Sequence, residues 1–268
     1  MLQVDNISFH IKKKYILQDV SFEATSGEFI AILGANGAGK STLIKLLSQE
    51  LKTAEGNILW KEQSLRKIPS QQMALERAVL TQNIHMSNDF PVNEVVLMGR
   101  YPHFKNYPES KDWDAVKATM AQTDIEDFKE RSYASLSGGE KQRVQLARAL
   151  AQLHDDQAEA AKLLLLDEPL NNLDVRHQHN CLQLSQAFAK QGNVLLLVMH
   201  DINLAAMYAQ KILLLHQGKV IGFGSPTEVL TEDNLSFCYN FPVKVETHPY
   251  HQCPVAYFGN FPESIGIN

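Results

Sequence analysis

The stretch Gly34 to Thr42, GANGAGKST, combines a glycine-rich loop with a lysine and two hydroxyl side chains. It matches the pattern G-x-x-x-x-G-K-[ST], in which backbone N–H groups surround phosphate oxygens. Lys40 supplies a positive charge for the outer phosphates, and Ser41 supplies an oxygen for Mg²⁺. A tight turn without a ligand would not require a lysine followed by a serine. The residues therefore predict a site for a phosphate chain and Mg²⁺.

A second chemical feature is the acidic pair Asp167 and Glu168, which ends the apolar run LLLLDEP. Open α/β sheets bind their ligands at the carboxyl ends of such strands. Asp167 suits an outer or water-mediated partner of Mg²⁺ that complements Ser41, and Glu168 suits a residue that orients and polarises an attacking water. His200 ends another apolar run, VLLLVMH, although a histidine at a strand end is by itself more often structural.

The stretch LSGGE raises a different question. Ser137 and Glu140 are three residues apart before an apolar-periodic run, which predicts a capping box at a helix start. Gly138 and Gly139 are poor helix formers, and a cap does not account for them. They favour a close approach to the backbone, and a helix N-terminus with bare N–H groups attracts phosphate.

These groups require a sheet to position them. Short apolar runs separated by helical stretches predict a parallel sheet covered on both faces. Residues 2–30 predict antiparallel strands, 92–133 helices, and 213–224 a hairpin. From Ser225 onward we expect a short helix and then an irregular end. The predicted strands of the core sheet are 29–33, 78–82, 163–167 and 194–200. The fold class is thus α/β with inserted and appended pieces.

Composition excludes several classes of protein. The chain has 268 residues, 44% of them hydrophobic, which suffices for one large or two small domains. Its net charge of −5 gives no whole-chain argument for nucleic acid. The 3 cysteines have no CxxC spacing, so neither a disulfide framework nor a zinc ribbon is expected. The N-terminus lacks a secretory signal, and no apolar run approaches the ~18 residues of a spanning helix.

The motifs occur in one order: the phosphate loop, LSGGE, LLLLDEP, NNLD and a histidine at a strand end. This set resembles the ATP-binding cassette (ABC) ATPases over nearly the whole chain. The resemblance implies a P-loop NTPase cassette with a RecA-like parallel core sheet, an N-terminal antiparallel β subdomain and an inserted helical subdomain. It implies a single domain over residues 1–268, with the helical subdomain at 83–155 and a C-terminal extension at 225–268.

The resemblance also implies residue roles. Gln82 would be the Q-loop glutamine, which touches the metal and the attacking water. Asp167 and Glu168 would be the Walker B aspartate and the catalytic glutamate, the stretch Asn171 to Asp174 the D-loop, and His200 the switch histidine. The implied Mg²⁺ ligands are Ser41, Gln82 and Asp167. The residues implied to bind ATP are Gly34, Asn36, Gly37, Gly39, Lys40, Ser41, Thr42, Ser137, Gly138, Gly139 and Asp174.

The family's mechanism implies partners as well. Two copies pair head to tail, and each ATP lies between the Walker A loop of one copy and LSGGE, the signature motif, of the other. LSGGE is then half of a site. The resemblance implies a homodimer on the cytoplasmic face of a bacterial inner membrane, bound to a permease dimer of separate chains. A periplasmic substrate-binding protein would act through the permease, and no nucleic acid is implied.

Two details stay open in the sequence. The family's adenine-stacking aromatic aligns with Ile11, but His10 lies beside it and Tyr15 follows four residues later. Near the C-terminus, His248, His251 and Cys253 form H-x-x-H-x-C. Zinc needs a fourth ligand and a fixed geometry, so this triplet is interpreted as a chance feature of the tail.

Only the resemblance to known transporter ATPases indicates which cargo would be imported. Segments 77–83, 90–104 and 151–169 look like those of haem-importer ATPases, and so does the tail after Gly224. The extra residues His154 to Ala161 favour haem. Import of a ferric siderophore or of cobalamin is the alternative.

Two other classes were weighed. A soluble ABC protein acting on ribosomes usually carries two cassettes, and one acting on DNA an inserted coiled coil or zinc hook; neither pattern occurs in the sequence. An unrelated P-loop kinase or GTPase would leave LSGGE unexplained, and no N-K-x-D motif is present.

Overall fold

The strands of the computed structural model form sheets of four, six and two strands within the described residues, 1–52, 55–81, 89–154 and 160–259. In chain order they are β1 (Leu2–Ile11), β2 (Lys14–Ala24), β3 (Phe29–Leu33), β4 (Glu55–Trp60), β5 (Gln63–Ser64), β6 (Arg77–Leu80), β7 (Leu163–Asp167), β8 (Val194–Val198), β9 (Lys211–His216), β10 (Lys219–Gly224), β11 (Val243–Thr247) and β12 (Pro254–Phe258).

The helices follow the same numbering. They are α1 (Lys40–Leu47), α2 (Ser70–Glu76), α3 (Val92–Leu97), α4 (Ser110–Gln122), α5 (Gly138–Leu153), α6 (Val175–Lys190), α7 (Ile202–Tyr208), α8 (Pro226–Val229) and α9 (Glu232–Tyr239). Short 3-10 turns occupy Leu65–Lys67, Met98–His103, Glu126–Phe128 and Tyr133–Ser135. In the described part of the chain, none of these helices has the length and hydrophobicity needed to span a membrane.

The six-stranded sheet confirms the predicted α/β class. Its order is β10-β9-β3-β8-β7-β6, and all neighbours are parallel except the hairpin β9–β10. Every residue of β3, β7 and β8 is buried, because helices or strands cover both faces. Along β3, Phe29 and Ala31 enter the core on one face, and Ile30 and Ile32 enter the core on the other.

The four-stranded antiparallel sheet packs on one of these faces. Its order is β2-β1-β4-β5, and it confirms the strands expected in residues 2–30. Its apolar side chains share a core with α1 and with the facing residues of the six-stranded sheet. Strands β4 and β5 were not predicted from the sequence. This arrangement places the β1–β2 hairpin beside the loop that follows β3.

A helical region, α3 to α5, has its own apolar core. That core includes Val92, Val96 and Met120 with Val144 and Ala147 of α5. The opposite face of α5 enters the core of the six-stranded sheet through residues that include Leu146, Ala149 and Leu153. Helix α5 therefore ties the helical region to the sheet. Residues 155–159 of the segment that favoured haem lie outside the described residues.

The irregular end predicted for the C-terminus is wrong. Beyond Ser225, which caps α8, the structure has a second helix, α9, and then the antiparallel hairpin β11–β12. Val243 pairs with Phe258 and Thr247 with Pro254, so the proline occupies the first position of its strand. Val243 and Ala256 are buried and pack into the core beside α9, which supplies the apolar contact that the sequence pattern did not reveal.

We expect the buried ion pair of the helical region to be decisive for stability. Arg100 Nε lies 3.0 Å from Asp112 Oδ1, with side-chain exposures of 5% and 0%. Replacement of Arg100 by methionine would leave the buried charge of Asp112 without its cationic partner and with only the backbone hydrogen bond from Glu109 N, which costs about 3–5 kcal/mol of the free energy of unfolding. Chemical denaturation measures this loss. Lys111→Met removes the exposed pair with Glu109 and serves as the control, whose stability should not change measurably.

Candidate functional site

The glycine-rich loop connects β3 to α1 and is pressed against two neighbouring strands. A Cβ added to Gly34 would lie 2.2 Å from the carbonyl oxygen of Leu215, at the end of β9. A Cβ on Gly39 would lie 2.6 Å from Leu17 Cδ2 and 2.9 Å from Ile16 O in β2. Only glycine permits this approach of backbone to backbone. The loop is therefore held from both sides, with its N–H-rich tip directed outward.

Lys40 turns back over this loop. Its Nζ donates hydrogen bonds to Gly34 O at 2.7 Å and to Ala35 O at 3.2 Å, and the residue is 6% exposed. Burial lowers the pKa of Lys40, while the carboxylates of Glu168 and Asp167 act in the opposite direction. Asn36 and Gly37 at the tip are exposed. The ammonium group thus lies where phosphate oxygens could replace the two carbonyl oxygens as acceptors.

Ser41 and Asp167 meet although they are 126 positions apart in the sequence. The Ser41 hydroxyl donates to Asp167 Oδ1 at 3.2 Å. Asp167 is 3% exposed, and burial raises the pKa of its carboxyl group, with the Ser41 hydrogen bond opposing that effect. A hydroxyl and a carboxylate beside a phosphate loop are the oxygen ligands that Mg²⁺ prefers. These two residues fit the ion; the third implied ligand, Gln82, lies outside the described residues.

Glu168 is oriented by two neighbours. Its Oε1 accepts from His200 Nε2 at 2.7 Å, and its Oε2 accepts from Asn171 Nδ2 at 2.7 Å. The Glu168 side chain is 11% exposed and that of His200 47%. The Glu168 backbone has φ 54°, a left-handed conformation that a non-glycine residue seldom adopts and that is common at functional sites. The sequence placed Glu168 and His200 on separate strand ends; the structure joins them.

Two further residues donate hydrogen bonds to Glu168, one to its side chain and one to its backbone, and neither was predicted from the sequence to be a site residue. Asn171 belongs to NNLD, and its amide fixes one carboxylate oxygen. Gln142, on the first turns of α5, donates from Nε2 to the backbone oxygen of Glu168 at 3.4 Å. An amide three residues after the acid was the available signal for Asn171. Nothing in the sequence around Gln142 indicated its contact, because it depends on how α5 packs.

The capping box predicted in LSGGE is confirmed. Ser137 N donates to Glu140 Oε2 at 2.7 Å, and Glu140 N donates to Ser137 Oγ at 3.3 Å. The two glycines differ. A Cβ on Gly139 would lie 2.6 Å from Asn172 O, whereas one on Gly138 would make an ordinary 3.4 Å contact with Asn172 Cβ. Close approach by the chain itself therefore explains Gly139, and Gly138 remains exposed together with Ser137.

Asp174 caps the following helix. Its Oδ1 accepts from His177 N at 2.9 Å and lies 2.8 Å from His177 Nδ1. These hydrogen bonds lower the pKa of the Asp174 carboxyl group, whose side chain is 67% exposed. The structure thus places Asp174 at the start of α6, a few residues beyond Asn171, and the described contacts give it a capping role.

The three candidates for the adenine contact lie together at the β1–β2 turn. His10 pairs with Tyr15 across the hairpin, and their ring centroids are 5.7 Å apart. Ile11 is 58% exposed and Tyr15 is 49% exposed. The turn adjoins the phosphate loop because Ile16 contacts Gly39.

The H-x-x-H-x-C triplet of the tail has a local structural role. His248 Nδ1 accepts from Tyr250 N at 3.1 Å and from His251 N at 3.2 Å, which closes a turn between β11 and β12. Within the described ranges no cluster of three or more His, Cys, Asp or Glu side chains could hold a metal ion.

Known proteins resemble this chain over most of its length. The family model for ABC transporters matches residues 17–171. The hemin import ATP-binding protein HmuV of Gloeobacter violaceus is 40% identical over 255 residues, which are 95% of this chain and 93% of that protein. The protein of the same name from Pseudomonas aeruginosa is 42% identical over 95% of this chain and 98% of its own.

Solved structures share the fold. A chain of a metal-chelate type ABC transporter in an inward-facing conformation has a TM-score of 0.80 and 27% identity, with 98% of both chains covered. A dimeric ATP-binding cassette with ADP and Pi bound has a TM-score of 0.72 and 23% identity, over 84% of this chain and 98% of that chain.

We expect the glycines of LSGGE to differ in their effect on stability. Gly139→Ala drives a methyl group against the Asn172 backbone and should lower the free energy of unfolding by about 1–3 kcal/mol. Gly138→Ala meets no such obstacle and should stay within about 0.5 kcal/mol of the wild type. Denaturant titration of both variants makes the comparison. Equal midpoints would contradict the contact between Gly139 and Asn172.

Proposed function

This chain belongs to the ABC transporter family, and from that premise we propose that its hydrolysis of ATP drives the import of haem through a separate membrane permease. The observation that carries the cargo is the similarity to hemin import ATP-binding proteins, which are 36–42% identical over 90–100% of this chain. Another metal chelate, such as a ferric siderophore or cobalamin, is the second candidate. It is favoured by the 27% identity to a metal-chelate type transporter.

ATP binding follows from the loop and its lysine. The backbone N–H groups of Gly37 and Gly39 face the phosphates, together with those of the first turn of α1, whose dipole favours negative charge. Lys40 Nζ, now on the carbonyl oxygens of Gly34 and Ala35, transfers to phosphate oxygens. Thr42 and Asn36 complete the contacts on either side of the lysine. The adenine would lie at the β1–β2 turn against His10, Ile11 or Tyr15.

Mg²⁺ would be held by Ser41 and Asp167, and by Gln82 as an additional ligand; when bound, the ion neutralises charge on the phosphates. Without the ion, these two side chains already form one polar pair, since the Ser41 hydroxyl donates to the buried carboxylate of Asp167. Burial raises the pKa of the Asp167 carboxyl group, and the Ser41 hydrogen bond and the charge of Lys40 oppose that effect.

Glu168 is the residue that takes the proton from the attacking water. Asn171 fixes its Oε2, and the more exposed His200 donates to Oε1. We assign the proton to Oε1, because a histidine that is 47% exposed can turn away more easily than the amide. Gln142 and Asn171 hold the backbone and side chain of Glu168 in place, so the carboxylate meets the water in a fixed orientation.

A second copy would complete the site. Ser137 and Gly138 are exposed at the N-terminus of α5, where bare N–H groups and the helix dipole attract phosphate. The ATP held by one copy would therefore contact Ser137, Gly138 and Gly139 of the other, with Asp174 at the interface between them. Within one chain, α5 reaches Glu168 through Gln142. Closure of the homodimer would thus affect the position of Glu168 through its contact with α5.

The permease would bind the helical region. Three large side chains are exposed there: Tyr101 at 57%, Tyr107 at 83% and Trp113 at 40%. Aromatic residues are enriched in protein interfaces. This position would place the homodimer on the cytoplasmic face of a bacterial inner membrane, and a periplasmic substrate-binding protein would act on the opposite side of the permease.

The role of Glu168 is tested by Glu168→Gln. The amide keeps the size of the side chain but has one acceptor oxygen instead of two and takes up no proton, so turnover should fall by at least about 100-fold while ATP binding persists. Steady-state hydrolysis and equilibrium ATP binding are measured on the same preparation. Glu23→Gln, on an exposed position of β2, is the control and should hydrolyse ATP like the wild type. Wild-type turnover in Glu168→Gln would overturn the assignment.

The cargo is tested by reconstitution. The chain and its permease are placed in proteoliposomes, and ATP-driven uptake of haem is compared with that of a ferric siderophore and of cobalamin. We expect uptake of haem that is lost in Glu168→Gln. Uptake of another chelate alone would replace haem by the second candidate. Hydrolysis stimulated by ribosomes or DNA and not by the permease would contradict the transport function.

A further inference from the structure

The last helix of the chain lies against the end of β9. Cys238, near the end of α9, is 1% exposed, and its Sγ donates to Leu215 O at 3.4 Å. In the same place His216 Nδ1 donates to Cys238 O at 3.0 Å. The end of α9 is thus fastened to two consecutive residues of β9. The packing of Leu235 and Cys238 in the sheet core anchors the helix further.

The same end of β9 supports the phosphate loop. The Leu215 carbonyl that accepts from Cys238 is also the atom on which Gly34 rests. Two residues beyond His216, Gly218 N donates to Ala38 O at 3.1 Å. The C-terminal helix and the phosphate loop therefore both contact the end of β9. A displacement of one would displace the other through that strand end.

The last residue of α9, Tyr239, fixes the end of the helix from another side. Its ring packs against Phe258 in β12 in an edge arrangement, at 5.5 Å between ring centroids. Burial raises the pKa of the Cys238 thiol, which favours the S–H form that donates to Leu215 O.

The loop residue that contacts Leu215 O is one of the two that orient the lysine. Gly34 O and Ala35 O are the two acceptors of Lys40 Nζ. A displacement of Leu215 O would therefore move Gly34, and with it one acceptor of the ammonium group.

We propose that the C-terminal helix supports the nucleotide site, with Cys238 as a positioning residue that holds Leu215 O against Gly34 and so keeps the loop in the shape that binds phosphate. This rests on the proposed function only in that the loop binds ATP. Cys238 acts through Leu215 and the loop and touches no reacting atom. Its effect should therefore fall on nucleotide affinity and not on the hydrolytic step.

The experiment uses one conservative variant of the chain, Cys238→Ala, which removes the thiol and its hydrogen bond to Leu215 O. We expect it to raise the Kd and KM for ATP by about three- to tenfold, as for the loss of one hydrogen bond, with kcat within about twofold. The matched control is Cys181→Ala, buried in the same core but on α6, which should bind ATP like the wild type.

The outcomes separate the possibilities. Unchanged Kd and KM in Cys238→Ala would overturn the proposal. An equal rise in Cys181→Ala would also overturn it, because general loosening of the core would then explain the effect. A wild-type chain that binds no ATP in this assay would instead overturn the proposed function. Binding is measured on the purified chain, so the result does not depend on the permease or its cargo.

Discussion

The contact of the phosphate loop with backbone carbonyl oxygens on both sides is the constraint on which the rest of the structure depends. Gly34 rests on Leu215 O and Gly39 on Ile16 O, distances at which no side chain fits. The loop is consequently shaped by the β1–β2 hairpin and by β9 together. This explains why the N-terminal sheet and the C-terminal helix, at opposite ends of the chain, both meet at the same few residues.

Charge is concentrated where this loop meets the sheet. Lys40 and Asp167 are 6% and 3% exposed, and each would be expensive to bury alone. Lys40 donates hydrogen bonds to carbonyl oxygens, and Asp167 accepts one from the Ser41 hydroxyl. The opposite charges of the two residues also reduce the free-energy cost of burying each of them. The polar groups of the site are thus already hydrogen-bonded within the chain, and the loop is organised before any ligand binds.

Helix α5, like the phosphate loop, is held by contacts on two sides. Because its two faces enter different cores, its N-terminus is fixed relative to both the helical region and the sheet. Gln142 then connects it to Glu168, and Gly139 connects it to the NNLD segment, whose Asn171 holds the Glu168 carboxylate. The LSGGE segment and the Glu168 carboxylate are therefore connected through backbone and amide contacts over a few residues.

The sequence by itself determined the chemistry: the phosphate loop, the acidic strand end, the capping box of LSGGE and the buried strands follow from residue types at short spacing, and the structure confirms these local features. Short spacing carries this information because a loop, a cap or a strand is built from neighbouring residues. The tertiary structure alone decided that Ser41 contacts Asp167, that Asn171 and Gln142 donate hydrogen bonds to Glu168, and that Gly139 lies against Asn172. It also decided that the tail folds as α9 followed by a hairpin. Such contacts join residues far apart in the chain, and their partners are chosen by how apolar faces pack, which no local pattern records.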